Sequence, residues 1–202
     1  MGFDTAALIE PLACCLRAID RSGVKAGDFV HVVGAGPVGL AHALALMSMG
    51  AGVAVSDVSR SRLDFAEGLG VTVAVDARGP PKDLMDATSG RGADVSIVAS
   101  GAPAAIVSGL KTVRRGGTVC LFGIPARGSV LDYDVSLAYN SELKVVSSYG
   151  ATEADTGRAM ELLALGDQPF SRLITHRFPL KRFDDALELA ASGAGMKTLI
   201  TP

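Results

Sequence analysis

Glycines at a fixed spacing constrain the fold of this chain more than any other feature. The segment Gly34-Ala35-Gly36-Pro37-Val38-Gly39 follows the apolar, valine-rich run 29–33 and precedes an apolar stretch that ends at Met49. A G-x-G-x-x-G spacing is typical of a tight turn from a strand into a helix. The first glycine permits the turn, and the third lets the helix pack closely on the sheet. The sequence therefore predicts a strand, a tight turn and a helix in direct succession.

The alternation of strand and helix continues through most of the 202 residues. Short apolar runs predict six strands, at 29–33, 53–56, 71–75, 94–99, within 117–123 and at 143–147. Helices are predicted around and between them, at 11–21, 37–49, 60–68, 82–88, 103–113 and 153–165. Because such alternation produces parallel sheets, we expect a doubly wound, six-stranded α/β Rossmann fold. The tail departs from this rhythm and predicts a short C-terminal strand-helix-strand extension, at 174–180, 183–191 and 196–200.

The charge and the apolar pattern exclude several classes of partner. The formal net charge is −2, which gives no reason to expect nucleic acid or a membrane surface. The longest apolar stretch, 38–49, is too short to span a bilayer. Cys14, Cys15 and Cys120 form no C-x-x-C pair, and no signal-peptide pattern begins the chain. We therefore expect a reduced, cytoplasmic protein.

An acidic residue stands where a dinucleotide-binding turn requires one. Asp57 ends the second predicted strand and lies 57 − 39 = 18 residues after Gly39, close to the spacing at which a carboxylate binds the adenosine ribose. Gly36 would let the pyrophosphate approach the backbone, and the free amides at the helix start would bind it. The charge of Asp57 would repel a 2′-phosphate, which favours NAD over NADP. Arg60 and Arg62 leave the alternative open, because a nearby arginine can pair with that phosphate.

Several motifs together resemble the zinc-type medium-chain dehydrogenases, which include sorbitol, threonine and alcohol dehydrogenases. They occur in the order of that family and cover nearly the whole chain: Glu10-Pro11-Leu12-Ala13, 23–28, 32–40, Asp57 with Arg62, 90–94, Ser100-Gly101-Ala102, Gly116-Gly117 and 175–180. The last motif is especially similar to the sorbitol and polyol branch. The resemblance implies that the full enzyme transfers a hydride between a polyol-like secondary alcohol and NAD.

The resemblance also implies a division of the chain into three parts. Residues 1–24 would be a linker helix from a catalytic domain that is missing here, 25–168 the NAD-binding domain, and 169–202 a C-terminal return segment. Members of the family hold their catalytic zinc in the missing domain, so we expect zinc only with that domain and no activity from this chain alone. Glu10 is a candidate zinc ligand by resemblance. The alternative is an acid in a first helical turn, where the helix dipole stabilises it.

The family pattern assigns further cofactor contacts to the ends of the later strands. Three groups would frame the ribose and the nicotinamide: Ser100 and Gly101; Phe122, Gly123 and Ile124; and Ser147, Ser148 and Tyr149. The pyrophosphate would lie against five residues of the glycine turn: Gly34, Gly36, Pro37, Val38 and Gly39. Asp57 and Arg62 would hold the adenosine end. His42, inside a predicted buried helix, is expected to be a core residue with satisfied hydrogen bonds.

An assembly of two or more copies is expected through the cofactor domain, in addition to a small-molecule substrate. The pair Val130-Leu131, between Ser129 and Asp132, predicts an exposed edge strand. Such a strand offers unpaired backbone groups to a second copy and would give a homodimer or homotetramer. The alternative is a capped surface loop.

Two other functions stay open at this stage. The chain could be a non-catalytic NAD-sensing or oligomerising module, or a different Rossmann enzyme such as a methyltransferase, which also carries an acid after its second strand. The six-strand rhythm and the 175–180 motif favour the dehydrogenase.

Overall fold

Short runs rich in valine and alanine form one parallel sheet of six strands in the computed structural model, which describes residues 2–166 and 168–202. The strands are β1 (Phe29–Val33), β2 (Gly52–Asp57), β3 (Val73–Asp76), β4 (Ala93–Val98), β5 (Val113–Leu121) and β6 (Lys144–Ser147). Their order is β3-β2-β1-β4-β5-β6, which confirms the predicted doubly wound Rossmann fold. The order reverses between β1 and β4, and open sheets of this kind bind ligands outside the carboxyl ends of the strands at that point.

Helices connect these strands and cover both faces of the sheet. They are α1 (Phe3–Ala6), α2 (Ile9–Ser22), α3 (Pro37–Ser48), α4 (Arg60–Gly68), α5 (Lys82–Ala87), α6 (Pro103–Thr112), α7 (Val135–Asn140), α8 (Glu153–Leu165) and α9 (Phe183–Ser192). Pro37 occupies the first turn of α3, where its fixed φ suits a helix and its missing amide costs nothing. Gly23 ends α2 with a φ of +74°. Among the described residues, no helix combines the length and the apolar character that crossing a bilayer would require.

The apolar core lies on both faces of the sheet. On one face, α3 packs against β1 and β2, and α2 packs against α3 and against β4, β5 and β6. Leu12, Ile19, Leu40 and Leu44 of these helices are almost fully buried. On the other face, α6 packs through residues such as Ile106 onto β4 and β5. This two-sided burial explains why the strands read as nearly continuous apolar runs rather than as alternating ones.

The C-terminal extension is the predicted strand-helix-strand unit, and its two strands pair as a second, parallel sheet. Its strands are β7 (Ile174–Pro179) and β8 (Lys197–Thr201), connected through α9. Phe170, Leu173 and Leu199 join the main core, so this segment packs against the same apolar cluster as α2 and α3. Arg177 of β7 also binds the carboxylate of Asp4 in α1.

Some boundaries differ from those predicted. β5 begins at Val113, not within 117–123, because the Arg-Gly segment between them is accommodated inside the strand. Gly116 adopts a φ of +69°, and the register between β4 and β5 shifts between Ala93 and Val95. β3 covers Val73–Asp76, not 71–75. The helices α1 and α7 were not predicted, since they are short and bury none of their residues.

The predicted edge strand at Val130-Leu131 is wrong for the single chain. Residues 122–134 form no strand, and the outer strand on this side of the sheet is β6. Val130 is 82% exposed. A strand requires a hydrogen-bonded neighbour, and no strand of the described chain lies beside these residues.

A buried histidine links β1 to β2 immediately before the acidic end of β2. The ring of His31 lies 2.8 Å from the hydroxyls of Thr112 and Ser56. Thr112 donates its own proton to the carbonyl of Ser108 (2.9 Å), so it accepts from Nδ1 of His31, and Ser56 donates to Nε2. Burial lowers the pKa of His31 to about 4, which keeps the ring neutral near pH 7. The neutral tautomer thus fixes Ser56, the residue before Asp57.

Asp94 joins the amino ends of three strands. Its carboxylate accepts hydrogen bonds from the Phe29 amide (2.9 Å), from both terminal nitrogens of Arg91, and from Nε of Arg114 (2.7 Å). The Arg91 hydrogen bonds, with those of Phe29 and Arg114, hold the pKa of Asp94 well below its usual range despite partial burial. This carboxylate therefore stabilises the fold through its charged form.

We predict that Asp94→Asn lowers the free energy of unfolding by about 1–3 kcal/mol at pH 7, the range for hydrogen bonds to charged groups. Because the pKa of Asp94 is depressed in the fold, its contribution is present above the unfolded value of about 4 and is lost as pH falls through the folded value. Urea unfolding at pH 7 and pH 3 checks this, with the exposed Asp132→Asn as the control. An equal loss in Asp94→Asn at both pH values would contradict the assignment.

Candidate functional site

The glycine turn between β1 and α3 is built on close backbone contacts. Gly34 leaves β1 with a φ of +109°, which strongly favours glycine, and its amide donates to the carbonyl of Ser56 (2.7 Å). A Cβ on Gly39 would overlap the carbonyl oxygen of Gly34. Gly39 therefore sets how closely α3 approaches the end of β1.

Gly36 differs from these two glycines, because no contact with a non-neighbouring residue of the described chain requires it. Its φ of −73° and ψ of 178° are open to any residue, and a Cβ there would meet no atom within 4 Å. The amides of Val38 and Gly39 precede the first hydrogen bond of α3, from Leu40 to Gly36 (2.9 Å), so they have no acceptor within the helix. An open space beside a side-chain-free residue and free helix-start amides fits an approaching anionic group.

Asp57 lies at the end of β2 beside this turn. Its Oδ2 accepts from the amide of Ala35 (2.8 Å), inside the glycine turn, and its Oδ1 accepts from the amide of Ser59 (2.8 Å). The side chain is 9% exposed. The carboxylate is therefore fixed by backbone donors on both sides, with the remaining lone pairs available to a ligand.

The two arginines of the first turn of α4 have different roles. Arg60 forms ion pairs with Asp64 (2.8 Å) and Glu67 (3.2 Å) on the solvent side of its own helix. Arg62 instead lies 3.9 Å from Oδ2 of Asp57 and donates to the carbonyl of Gly193 (3.3 Å). The structure thus brings Arg62 to the acidic end of β2, whereas the ion pairs of Arg60 are with residues of its own helix.

The loops after β4 and β5 lie against one another beside the turn. A Cβ on Gly101 would overlap the carbonyl of Ile124, and a Cβ on Gly123 would overlap the backbone of Ser100. The end of β4 also reaches Gly34, where a Cβ would lie 3.6 Å from the Cβ of Ser100. The predicted ribose and nicotinamide residues of these two loops are therefore neighbours of the glycine turn.

Phe122 packs edge-on against His42 of α3, with ring centroids 4.7 Å apart. His42 is fully buried, and its Nδ1 donates to the carbonyl of Val38 (2.9 Å). Its Nε2 has no hydrogen-bond partner in the described chain. The expectation of a fully satisfied histidine is therefore wrong, although the residue does belong to the core. Burial lowers its pKa to about 4, so the ring stays neutral.

The loop after β6 is held to α2 and to β5. Arg21 donates from Nε to the carbonyl of Ser147 (2.6 Å), and the amide of Ser148 donates to the carbonyl of Leu121 (3.1 Å). The hydroxyl of Ser148 is buried without a partner in the described chain, whereas Tyr149 is 86% exposed. The backbone of this loop is anchored at the carboxyl edge, and Tyr149 extends into solvent.

Glu10 lacks the partners that a zinc site needs. It is exposed in the first turn of α2, and among the described side chains its carboxylate accepts only from the thiol of Cys14 (3.4 Å). Burial, together with this hydrogen bond, raises the pKa of Cys14 to about 11, which disfavours the thiolate that zinc requires. Within residues 2–166 and 168–202, no three His, Cys, Asp or Glu side chains form a group able to hold a metal ion. The described residues therefore do not fit a zinc centre by themselves.

Three contacts at this edge could not be read from the motif. They are the hydrogen bond from Ala35 to Asp57, the one from Arg62 to Gly193, and the packing of His42 on Phe122. The first follows from the G-x-G turn once its geometry is known. The other two join residues 131 and 80 positions apart (193 − 62 and 122 − 42), and no local pattern signals them.

Comparison with known sequences places this geometry in a family. The sorbitol dehydrogenase of Halalkalibacterium halodurans is 33% identical over 202 residues, which are 98% of this chain and 59% of that protein. The L-threonine 3-dehydrogenase of Bacillus licheniformis is 34% identical, over 100% of this chain and 59% of that protein. The chain thus spans about three-fifths of the length of these relatives.

Solved structures and a family sequence model agree with these similarities. The alcohol dehydrogenase of Thermotoga maritima superposes with a TM-score of 0.92 at 29% identity, covering 100% of this chain and 58% of that one. A zinc-binding dehydrogenase of Sinorhizobium meliloti, bound to NADP, gives a TM-score of 0.89 at 30% identity, covering 98% and 59%. The family model described as zinc-binding dehydrogenase matches residues 37–165, more than half of the sequence. This chain belongs to the zinc-binding dehydrogenase family.

Proposed function

We propose that this chain binds NAD(H) at the carboxyl ends of β1 and β4, as the cofactor-binding part of an alcohol or polyol dehydrogenase. The observation that carries the proposal is the empty space beside Gly36, a glycine that the fold itself does not require. A bound pyrophosphate would explain why this residue is glycine, because the pyrophosphate oxygens must come within hydrogen-bond distance of the backbone and a side chain would block them.

Different residues of the chain would bind different parts of the dinucleotide. The amides of Val38 and Gly39 would donate to the pyrophosphate, and the carboxylate of Asp57 would accept from the adenosine ribose. Ser100 and Phe122 follow β4 and β5 and would frame the nicotinamide ribose and ring. When bound, the nicotinamide supplies hydride transfer with the alcohol carbon. The chain would orient the ring and exclude water around it.

The cofactor proposed is NAD rather than NADP. The carboxylate of Asp57 is held in place by Ala35 and Ser59, so it cannot turn away from a 2′-phosphate without losing both bonds. Arg62 could favour NADP by pairing with the 2′-phosphate. Its guanidinium, however, already lies near the Asp57 carboxylate and donates to the carbonyl of Gly193. The Sinorhizobium meliloti neighbour binds NADP, which makes cofactor preference the property that most needs measurement.

The residues that bind the substrate and the zinc would lie mostly outside this chain. The matched relatives act, by their names, on sorbitol, threonine and alcohols, and this chain spans about three-fifths of their length. The described residues hold no zinc ligand set, and Glu10 would at most contribute one oxygen to a site completed elsewhere. A polyol-like secondary alcohol is the proposed substrate class. A cytoplasmic location and the division at residues 24 and 168 belong to the same proposal.

A homodimer through the region before β6 is proposed as the assembly, with a homotetramer as its extension. Within the part of the chain that the structure describes, β6 pairs only with β5 and leaves its other edge open. Exposed apolar side chains lie close to it in sequence: Val130, Leu131, Val135, Leu137, Tyr139 and Val145. A second copy would give exposed residues such as Val130 the strand neighbour that the described chain lacks.

Replacing Gly36 by alanine tests the proposed function. We expect Gly36→Ala to weaken NADH binding by about tenfold or more, because the new methyl group fills the space that the pyrophosphate needs. The free energy of unfolding should change by less than about 0.5 kcal/mol, since the Cβ meets no protein atom. Fluorescence titration with NADH and urea unfolding measure the two effects.

The matched control is Gly39→Ala. It should lower the free energy of unfolding by about 1–3 kcal/mol, because its Cβ overlaps the carbonyl of Gly34. NADH binding that is equally tight in Gly36→Ala and in the unmodified chain would contradict the proposed site.

Asp57→Asn tests the cofactor preference. The unmodified chain should bind NADH more tightly than NADPH, and Asp57→Asn should narrow the ratio by about tenfold because the repulsion of the 2′-phosphate is removed. Asparagine keeps the shape of the side chain and one acceptor oxygen, and circular dichroism verifies the fold. Titration calorimetry with both cofactors measures the ratio. NADPH binding as tight as NADH binding in the unmodified chain would overturn the assignment.

Val130→Lys tests the assembly. Two copies of the new charge would meet near the two-fold axis, so the protein should shift from dimer to monomer in light scattering at micromolar concentration. Leu187→Lys, at a 59% exposed position on α9, is the control and should leave the mass unchanged. A monomeric unmodified protein, or a dimer unaffected by Val130→Lys, would rule out this interface.

A further inference from the structure

A cavity of about 410 Å³ opens at the amino ends of the strands, opposite the glycine turn. Its walls are the end of α2 and the turn before β1, together with the first residues of β4, β5 and β6. This edge of the sheet takes no part in the proposed cofactor site. The volume lies in the range of small-molecule sites, which is roughly 300–1,000 Å³.

Cationic side chains outnumber acidic ones around the cavity. Arg21, Lys25, Arg114 and Lys144 line it, against Asp28 and Asp94. The cavity therefore carries a surplus of positive charge.

Both carboxylates are already bound by the protein. Asp94 accepts from Arg91, Arg114 and the Phe29 amide. Asp28 accepts from the amide of Lys25 (2.8 Å). Asp94 is thus paired with two arginines, whereas Asp28, held by a neutral amide, keeps its negative charge. The cavity stays positive because its four cations still outnumber the two acids.

Lys25 and Lys144 carry positive charges of the cavity that are not used in ion pairs of the described chain. Among residues 2–166 and 168–202, the ammonium groups of Lys25 and Lys144 take part in no ion pair. Both residues are exposed. Arg21 also lines the cavity, but its Nε donates to the carbonyl of Ser147 at the carboxyl end of β6, so the two lysines are the principal candidates for binding an anion. The carboxyl-terminal end of α2 adds about half a negative charge. The net positive charge of the four cationic and two acidic side chains is larger than that.

We propose that this cavity binds a small phosphate ester. Lysine ammonium groups act as point charges toward phosphate. A phosphate group alone would leave most of the cavity empty, so the remaining space suits the polar carbon skeleton of the ester. The site is separate from the cofactor crevice and does not rest on the proposed function.

Calorimetric titration of the whole chain with glycerol 3-phosphate and with glucose 6-phosphate tests the proposal. Saturable one-to-one binding is expected for at least one of them. Lys25→Gln and Lys144→Gln should each weaken it by about tenfold, the effect of losing one charged hydrogen bond. The control Lys181→Gln, an exposed lysine outside the cavity, should leave the affinity unchanged.

Two results would overturn the site. The first is the absence of saturable binding by both esters in the low millimolar range. The second is an equal loss of affinity in Lys181→Gln and the cavity variants, which would show only diffuse attraction by surface charge.

Competition separates this cavity from the glycine turn. Saturating NADH should leave ester binding unchanged, whereas displacement by NADH would place the phosphate at the cofactor turn and contradict the proposal. The lysine variants decide the question even where the chain fails to bind NADH, so a failed cofactor site and a failed ester site remain distinguishable. Melting temperatures of the variants, expected to match that of the unmodified chain, exclude unfolding as the cause.

Discussion

The close approach of α3 to the end of β1 is the constraint on which the rest of the site depends. It exists because Gly39 has no Cβ to collide with the carbonyl of Gly34, and because Gly34 can adopt a φ of +109°. This contact points the start of α3, with its free amides, over the carboxyl end of the sheet. The reversal of strand order between β1 and β4 then opens the crevice that those amides face.

Electrostatics divides the two ends of the sheet. At the carboxyl edge, the positive partial charges come from backbone amides. The fixed carboxylate of Asp57 would repel any further anionic group that lies beside it. At the amino edge, the charges are carried by side chains, with Asp94 fixed between Arg91 and Arg114 and the lysines left over. The two proposed anion sites on one sheet would therefore differ in the groups that bind, backbone amides at one edge and side-chain cations at the other.

The sequence predicted those features that depend on local pattern. Apolar runs located all six strands, and the G-x-G-x-x-G spacing with Asp57 located the turn and its acidic neighbour. The start of β5 was misplaced because Arg114 to Gly117 has the composition of a turn, yet a local irregularity accommodates it within the strand. Contacts such as Arg62 with Gly193 depend on tertiary packing across 131 positions. The prediction of an edge strand at Val130 was wrong because a strand needs a hydrogen-bonded neighbour, and none lies beside Val130 in the described part of the chain.

The central claim is that a dinucleotide binds at the carboxyl ends of β1 and β4. Backbone amide resonances followed during titration of the ¹⁵N-labelled chain with NADH test it most directly. The account predicts that the largest shifts fall on residues 34–39, on Asp57 and on the loops at 100–101 and 122–124. Shifts confined to the amino edge, or none at a saturating NADH concentration, would contradict it.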